Sequence, residues 1–498
     1  MSARGSTPET GTADDATIEA GSVRASRWIL LAALAIGLLR FWRLSRWSLW
    51  FDEAVTWTDY HHSLQSAEIG NPIGYRAIAW TVRLLGGIPD EFALRFLPAL
   101  AGWCTIPLAY WAFRPKAGRL RASAAALLLA ASSWHVYWSQ NARFYTLAQA
   151  VSLLGAGLLV RGLWRRQILL SILGFTCAAA AAAFHASAAL LLPAFVLAPL
   201  LLRFLGRFLG RTARSLPDVR AGAALLVLLT IALLLRFGWA WRTIENHIGQ
   251  KPQSDPAHFL LTTGFYVTPL VGTAALAGAV FAFARRDAFH LFASIVIAIV
   301  IAAALAVSLF ARVSAQYVFV ALPWFALLAC VPLTAPDHEP GTEALPEKKG
   351  LSALHAGWLA VLLLPSLANV VLYFTVRGGE RPPWREAYEY VWNHREADDL
   401  VLGMEATVGE FYLNPLQTEL RRTIRVAWLD RYRAQEPERW AEHARRTWYI
   451  LNPEQLLDWD PSDAAALRRF LAEECRLVVC YPVYVESRDL SVWVYLRG

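Results

Sequence analysis

The stretch Arg40-Phe-Trp-Arg-Leu-Ser-Arg-Trp-Ser-Leu-Trp-Phe-Asp52-Glu53-Ala54 directly follows an apolar run. Its tryptophans and arginines are typical of the polar edge of a bilayer, where amphipathic rings and long cationic side chains are stable. The adjacent carboxylates of Asp52 and Glu53 have no such explanation, and acids at a membrane edge are candidates for a functional role. The stretch therefore predicts a membrane protein with Asp52 and Glu53 as its first candidate catalytic residues.

The composition of the whole chain favours the same class. The chain has 498 residues, of which 56% are hydrophobic and 17% are charged, with a mean hydropathy of +0.36. Soluble domains carry about 25% charged residues. The net charge of +8 does not indicate a nucleic-acid partner, because the arginines lie in short loops between apolar runs, where they determine membrane topology.

Repeated long apolar runs predict a polytopic α-helical membrane domain over residues 23–375, with about eleven spans. Residues 1–22 are rich in small, polar and acidic residues and lack apolar periodicity, so we expect a disordered cytoplasmic tail there. The expected spans are residues 27–44, 92–113, 121–138, 143–160, 167–184, 186–203, 220–238, 259–284, 289–310, 314–333 and 352–375.

Arginine-rich loops indicate the orientation of these spans. The loops 114–121, 161–166, 203–220 and 285–286 share one side of the membrane if residues 45–90 form one large loop with interfacial helices. The positive-inside rule then assigns these four loops and the N-terminus to the cytoplasm. We therefore expect a multi-pass protein of the plasma (inner) membrane whose C-terminus is extracytoplasmic.

Residues 376–498 have the composition of a soluble domain. Their alternating helix and strand patterns predict a small extracytoplasmic α/β domain. No glycine-rich phosphate loop follows a strand in this domain, so the sequence gives no support for nucleotide binding. The expected helices are residues 384–394, 437–446 and 461–474, and the expected strands are 400–404, 424–429, 448–451, 476–485 and 490–496.

The acid pair at Asp52 and Glu53 allows two interpretations. Acids favour the first turn of a helix, so the pair can cap an interfacial helix over residues 53–61. Alternatively, one acid faces a cavity as a general base or a metal ligand. The cysteines and histidines show no zinc-site spacing. The sequence identifies no cofactor, and a divalent metal beside the acids stays open.

A second polar cluster, Gln140, Asn141, Arg143 and Tyr145, lies between two apolar runs on the same expected side as Asp52. An isolated arginine at this depth commonly extends to the lipid headgroups. Amide and hydroxyl groups around a cation also suit the binding of a phosphate or diphosphate. The cluster is therefore a candidate site for the phosphate of a lipid-linked substrate.

A further arginine, Arg95, lies one turn into the predicted span 92–113. It follows Glu91 by four residues, which places both side chains on one face of a helix. We therefore expect Arg95 to pair with an acid such as Glu91.

Five segments at intervals along most of the chain carry a family resemblance. They are Leu49-Trp-Phe-Asp52-Glu53, Asn71-Pro72, Glu91-Phe-Ala-Leu-Arg95-Phe-Leu-Pro98, Trp138-Ser-Gln-Asn-Ala-Arg143-Phe-Tyr145 and Gln316-Tyr317-Val-Phe-Val-Ala-Leu-Pro323. In this order they resemble the signatures of family 39 glycosyltransferases, membrane enzymes of the GT-C type that include protein O-mannosyltransferases and the lipid A aminoarabinose transferase. Asn71 and Ile73 depart from the family pattern, which usually reads His-Pro-Pro where this chain has Asn71-Pro72-Ile73.

The resemblance implies a glycosyltransferase that takes one sugar from a polyprenyl-phosphate donor on the outer face of the membrane, with inversion. Under it Asp52 is the catalytic base and Glu53 is its partner or a metal ligand. Arg143 and Tyr145, with Gln140 and Asn141, would bind the donor phosphate. The acceptor is a hydroxyl or phosphate on a glycolipid, a protein or a cell-wall polymer, and the other partners are membrane lipids.

Two other classes of protein remain open at this point. A transporter or flippase would more often show two repeated halves and ionisable groups near the membrane midplane, and the sequence has no convincing internal repeat. A membrane scaffold would use the C-terminal domain as a binding module, and that domain has no visible catalytic set.

Overall fold

The structure is a computed structural model that describes residues 12–61, 72–208, 216–250, 254–333, 353–414, 426–429, 445–457, 459–486 and 488–498. Asn71, residues 437–444 of the expected helix at 437–446 and the first eleven residues of the expected tail lie outside these ranges. The described chain divides into two compact units. The first unit contains the described residues up to Leu39 and residues 102–135 and 147–367, and the second contains residues 40–101, 136–146 and 368–498.

Helices make up most of the chain. They are α1 (Thr12–Gly37), α2 (Phe51–His61), α3 (Pro72–Leu84), α4 (Glu91–Ala117), α5 (Arg119–Ala131), α6 (Ser133–Ser139), α7 (Tyr145–Arg165), α8 (Ile168–Ala181), α9 (Leu191–Phe208), α10 (Val219–Gln250), α11 (Pro256–Val267), α12 (Pro269–Ala284), α13 (Ala288–Ser308), α14 (Leu322–Ala329), α15 (Ala353–Thr375), α16 (Trp384–His394), α17 (Ala406–Tyr412), α18 (Pro453–Leu456) and α19 (Pro461–Glu474). Helix α1 therefore begins inside the segment that we expected to form a disordered tail.

The length and apolar character of these helices define a multi-pass membrane protein. In the described residues six helices are long and apolar enough to cross a membrane: Glu91–Ala117, Tyr145–Arg165, Ala186–Arg207, Ala288–Ser308, Ala315–Leu333 and Ala353–Thr375. The pair α11 and α12 makes a seventh if it counts as one span. The other four expected spans fall on α1, α5, α8 and α10, which do not meet the same criterion, so the total of about eleven stays a prediction.

The expected span 259–284 is broken in the middle. Helices α11 and α12 meet at an angle of 93°. Thr268 lies between them and has a φ of +70°, so an α-helix cannot continue through this residue. Pro269 follows as the first residue of α12. The Thr268 hydroxyl accepts a hydrogen bond from the N–H of Val271 and so caps the second helix.

Small residues allow close helix packing in the first unit. A Cβ atom added to Gly155 of α7 would lie 2.6 Å from the carbonyl oxygen of Gly174 on α8, so these two backbones touch. A Cβ atom on Gly37, at the end of α1, would lie 2.6 Å from the Ile106 side chain of α4. Such small-residue contacts are typical of helices packed inside a membrane, where van der Waals contact replaces the hydrophobic effect.

The C-terminal part of the second unit is the expected small α/β domain. Its sheet has the order β2-β1-β3-β7-β4, with β2, β1 and β3 parallel and β7 antiparallel to both of its neighbours. The strands are β1 (Leu400–Gly403), β2 (Val426–Trp428), β3 (Thr447–Leu451), β4 (Arg476–Tyr481), β5 (Tyr484–Val485), β6 (Arg488–Asp489) and β7 (Val492–Arg497). The expected strand 476–485 is two strands, because β5 leaves the sheet to form a hairpin with β6.

The second unit joins the chain segments that we expected on one side of the membrane. Helix α2 packs against α17 of the C-terminal domain. Ala54 of α2 is fully buried in the same hydrophobic cluster as Tyr388 and Val401 of that domain, and the Trp57 ring meets the Phe411 ring edge to face at 5.5 Å. The first loop and the C-terminal domain therefore share one core.

Candidate active site

Asp52 and Arg143 lie side by side in the second unit. Asp52 is in the first turn of α2, and Arg143 is in the connection between α6 and α7. Arg143 Nε lies 3.8 Å from Asp52 Oδ2, and Arg143 Nη1 donates hydrogen bonds to the Asp52 carbonyl (3.2 Å) and to Thr56 Oγ1 (3.4 Å). The Asp52 side chain is 27% exposed and that of Arg143 is 16% exposed, so a ligand can reach both.

Glu53, the next residue, has a different environment. Consecutive residues of an α-helix point about 100° apart. The Glu53 side chain therefore points in a different direction from that of Asp52, and it is fully buried. Arg95 binds its carboxylate in a bidentate manner, with Nε to Oε1 and Nη2 to Oε2 both at 2.7 Å. The Ala142 N–H donates to Oε1 at 2.8 Å, and Arg381 Nε lies 3.4 Å from Oε2.

Two buried cations thus face the buried carboxylate of Glu53. Burial opposes the charged form, but the Arg95 and Arg381 guanidiniums outweigh it and hold the pKa of Glu53 below its ordinary value of 4.5. Donors contact both oxygens of an ionised group. Such a carboxylate is suited to holding neighbouring backbone segments in place, and poorly suited to taking a proton from a substrate.

Arg95 extends this arrangement to the stretch before α2. In addition to Glu53, its guanidinium donates to the carbonyls of Leu44, Trp47 and Ser48 at 3.0, 2.7 and 2.9 Å. These contacts use all five N–H donors of the side chain. Arg95 therefore fixes the tryptophan-rich segment and the first turn of α2 against α4.

The expected pair of Arg95 with Glu91 is wrong. Glu91 pairs with Arg385 of α16, and it also accepts a hydrogen bond from the Tyr412 hydroxyl at 3.1 Å. That hydroxyl accepts from the N–H of Leu49 at 2.7 Å. The physical reason is burial: the buried carboxylate on α2 requires a cation, whereas Glu91 is only partly buried and the C-terminal domain supplies its partner.

Gln140 of the second polar cluster is fully buried and uses both ends of its amide. Its Oε1 accepts from Trp47 Nε1 at 3.2 Å and from the Tyr373 hydroxyl at 3.0 Å. Its Nε2 donates to the carbonyls of Arg40 and Trp42 at 3.2 and 2.7 Å. An amide with four protein partners has little capacity left for a ligand.

Asn141 contrasts with its neighbour. Its side chain is fully buried, and neither amide atom has a hydrogen-bond partner among the described residues. The indole Nε1 of Trp50 is also buried without a hydrogen-bond partner among the described residues. Tyr145 begins α7, is almost fully buried, and packs its ring on Trp138 at 4.1 Å between centroids. Unpaired buried polar groups are rare and favour a binding role.

Two residues of this region were not found by sequence reasoning. Arg381 contacts Glu53, donates to the Gln140 carbonyl at 2.6 Å and lies over the Tyr137 ring at 5.0 Å. Glu405 is the other, a nearly buried acid before α17. Neither residue belongs to a local pattern, because their partners lie far away in sequence. The sequence offered one weak signal for each residue. Arg381 is a cation just after the last expected span, and Glu405 is an acid between an expected strand and a helix.

A metal site was left open by the sequence. The described residues contain no group of three or more histidine, cysteine, aspartate or glutamate side chains that could hold a metal ion. The geometry at Asp52 and Arg143 is that of a carboxylate beside a guanidinium.

The chain folds as a polytopic α-helical membrane protein with a small C-terminal α/β domain, which confirms the expected fold class, and this fold is similar to two solved structures. The chain is similar to ArnT from Cupriavidus metallidurans bound to undecaprenyl phosphate, with a TM-score of 0.51 and 15% identity over 95% of this chain and 98% of that chain. It is also similar to the apo oligosaccharyltransferase of Archaeoglobus fulgidus, with a TM-score of 0.54 and 11% identity over 92% and 73% of the two chains. At these identities the likeness shows the fold. No protein-family model and no curated protein matches the sequence.

Proposed function

We propose that this protein is a membrane glycosyltransferase that moves a single sugar from a polyprenyl-phosphate donor to an acceptor hydroxyl or phosphate. The observation that carries the proposal is the pairing of Asp52 and Arg143. A reachable carboxylate lies 3.8 Å from a reachable guanidinium. A transfer from a lipid phosphate requires both a base for the acceptor and a cation for the leaving group.

The shared GT-C fold and the ligand of one neighbour support the choice of donor. That neighbour, ArnT, was solved bound to undecaprenyl phosphate. A polyprenyl phosphate combines a membrane-soluble chain with an anionic group, and this chain combines apolar helices with a cation at Arg143. We propose the same class of carrier here, with one sugar attached to its phosphate.

The reaction needs one displacement. The acceptor oxygen attacks the anomeric carbon as Asp52 takes the acceptor proton. The bond between that carbon and the phosphate oxygen breaks, and its electrons leave with the polyprenyl phosphate. Arg143 stabilises the growing negative charge on the phosphate, and we assign the Asn141 amide, which has no hydrogen-bond partner among the described residues, as an additional donor. A single in-line displacement inverts the anomeric centre.

Glu53, Gln140 and Tyr145 take different parts in this proposal. The Glu53 carboxylate, bound by Arg95 and Arg381, holds the start of α2 and the Ala142 backbone, so it positions Asp52 and Arg143 without reacting. Gln140 fixes the Trp47 segment through its four hydrogen bonds. Tyr145 packs on Trp138 and supports the connection that carries Arg143.

The proposed location is the plasma (inner) membrane. The N-terminus is proposed to be cytoplasmic and the C-terminal domain extracytoplasmic, in line with the arginine-rich loops. The donor would then be used at the outer face, where the first loop and the C-terminal domain lie in this topology.

The test follows the donor in cells. A deletion strain should accumulate one polyprenyl-phosphate sugar, measured by mass spectrometry of the lipid extract. Wild-type protein should clear it, and Asp52→Asn should not, although that variant should be present and folded in detergent. Asp59→Asn makes the same change on the same helix and should clear the lipid. Clearance by Asp52→Asn at the wild-type rate would remove Asp52 from the role of base.

The same strain separates a transferase from a flippase. If the accumulated lipid-linked sugar is open to periodate oxidation from outside the cell, the donor has already crossed the membrane and the missing step is transfer. Protection from the oxidant would instead assign the missing step to translocation. Failure of any lipid-linked sugar to accumulate would contradict both.

A further inference from the structure

Glu405 occupies an unusual position in the C-terminal domain. It lies between β1 and α17, at the N-cap of that helix, but its side chain makes no capping hydrogen bond. Only 6% of the residue is exposed. Its Oε1 accepts a hydrogen bond from the Gln455 side-chain amide. Its Oε2 is buried, with no hydrogen-bond partner anywhere in the described part of the chain.

The described side chains that act on the Glu405 carboxyl are acidic or neutral. Helix α2 brings the Asp52 carboxylate, and α16 brings the Tyr388 hydroxyl, which donates to the Glu405 carbonyl at 3.2 Å. Helix α17 itself carries Glu410, and α18 carries Glu454 beside Gln455. Within the described ranges no cation pairs with Glu405. A buried carboxylate without a cation is costly, so the neutral acid is favoured.

The protonation of Glu405 follows from this environment. Burial, together with a smaller effect of the Asp52 carboxylate, raises the pKa of the Glu405 carboxyl to about 8, although the Gln455 hydrogen bond opposes the shift. At neutral pH Glu405 therefore keeps its proton. The interaction with Asp52 also works in the other direction, since an ionised Glu405 would place a second negative charge close to Asp52.

We infer that Glu405 is a positioning residue of the transfer site, a neutral acid by which the C-terminal domain supports Asp52 through the packing of α17 on α2. The inference rests on the proposed transferase function and assigns a role to the C-terminal domain within it. The Trp57–Phe411 ring contact holds α17 against α2, and the Tyr412–Leu49 hydrogen bond holds α17 against the segment before α2. The proton on Glu405 prevents a second carboxylate charge, which has no cation among the described residues, from forming near Asp52.

The inference predicts how transfer depends on pH. When Glu405 ionises, its charge repels both Asp52 and an anionic donor phosphate, so transfer slows. One pH unit above a pKa near 8 about a tenth of the group stays protonated, so the rate at pH 9 should be about a tenth of that at pH 7. Raising the pH also keeps any base ionised, so a lack of base cannot cause this decline.

Three variants of the full chain test the inference in proteoliposomes, with the donor extracted from the deletion strain. Glu405→Ala should lower the rate at pH 7 about tenfold, because Asp52 loses its support. Glu405→Gln keeps the shape and the neutral charge, so it should recover most of that loss and show no decline at pH 9. Glu454→Gln, in the same domain, should behave as wild type. A decline at pH 9 that persists in Glu405→Gln would overturn the inference.

Thermal unfolding in detergent provides a measurement that does not depend on transfer. The raised pKa of Glu405 means that its contribution to stability is full below the unfolded value of 4.5 and is lost as pH rises toward 8. Glu405→Gln should therefore gain melting temperature relative to wild type from pH 4.5 to 8. Asp52→Asn should reduce that difference, because Asp52 contributes to the shift.

The two measurements distinguish the failure of each proposal. A Glu405-dependent change in stability that responds to Asp52, without any sugar transfer, would reject the transferase and keep the coupling of the two acids. Equal melting curves for wild type and Glu405→Gln at every pH would reject the coupling, whatever the transfer assay shows.

Discussion

Glu53 and Arg95 form a bidentate ion pair in which both side chains are fully buried and both contacts are 2.7 Å. The preceding residue, Asp52, is 27% exposed and lies beside Arg143. Two adjacent acids of one helix thus differ in burial, in partner and in charge environment. The pair at Glu53 fixes the backbone that presents Asp52, and this division underlies the predictions below.

The buried ion pair should contribute to stability more than to chemistry. Replacing Glu53 with Gln leaves Arg95 and Arg381 buried without a counter-charge, so we expect a loss of about 3–5 kcal/mol of unfolding free energy. Asp52→Asn should change stability by less than about 1 kcal/mol. Thermal unfolding of both variants in the same detergent measures this. Equal stabilities would contradict the role given to Glu53.

Acid should destabilise the second unit through the same residue. The pKa of Glu53 is held below 4.5, so its contribution to stability is present above that value and is lost as pH falls through the lower folded pKa. Wild-type protein should therefore lose melting temperature below about pH 4.5. The Glu53→Gln variant has no carboxylate at this position to protonate. Its melting temperature should therefore not show the part of the acid-induced loss that Glu53 causes.

Asn141 and Gln140 are a matched pair of buried amides with opposite hydrogen bonding. Gln140→Ala removes four hydrogen bonds and should cost about 2 kcal/mol or more, with activity falling as the site loosens. Asn141→Ala removes an amide that has no hydrogen-bond partner in the described part of the chain, so stability should hold or rise, while transfer should drop at least tenfold if the amide binds substrate. Melting curves and transfer rates of both variants distinguish the structural role of Gln140 from the binding role of Asn141. Unchanged transfer in Asn141→Ala would remove it from the site.

The turn after the last span depends on a glycine. Gly379 has a φ of +68°, and a Cβ atom there would lie 2.7 Å from the Trp47 ring. Gly379→Ala should therefore destabilise by about 1–3 kcal/mol and disturb the nearby Arg381. Gly357→Ala is the control, since Gly357 lies in α15 with no atom within 4 Å of its added Cβ and should gain up to about 1 kcal/mol. Similar effects of the two changes would contradict the prediction.

Several elements could be read from the sequence because their signals are local. Helices α16 and α19 span 384–394 and 461–474, the ranges expected from helical periodicity. The long apolar runs predicted a membrane protein for the same reason, because a helix can span a bilayer when its apolar run is long enough. The break in the span 259–284 escaped, because a backbone turn at Thr268 leaves the apolar character of the run unchanged.

Sequence reasoning identified several residues of the candidate site, but it did not identify which residues they contact. Asp52 and Arg143 stand in recognisable motifs, and the structure brings them to 3.8 Å. The partner of Arg95 was assigned to Glu91 by helical spacing, yet the buried Glu53 has the stronger need for a cation. Arg381 and Glu405 join the region from more than 200 residues away, a distance at which no local pattern can indicate contact.

By itself, then, the sequence determined that this chain is a multi-pass membrane protein with a soluble α/β end, because hydrophobic length and periodicity act locally. It also singled out the acid pair at Asp52 and Glu53. Only the tertiary structure decided that these neighbours differ, because burial and the arrival of Arg95, Arg143 and Arg381 depend on how distant segments pack. Burial leaves Glu53 enclosed by cations and Asp52 open to a ligand.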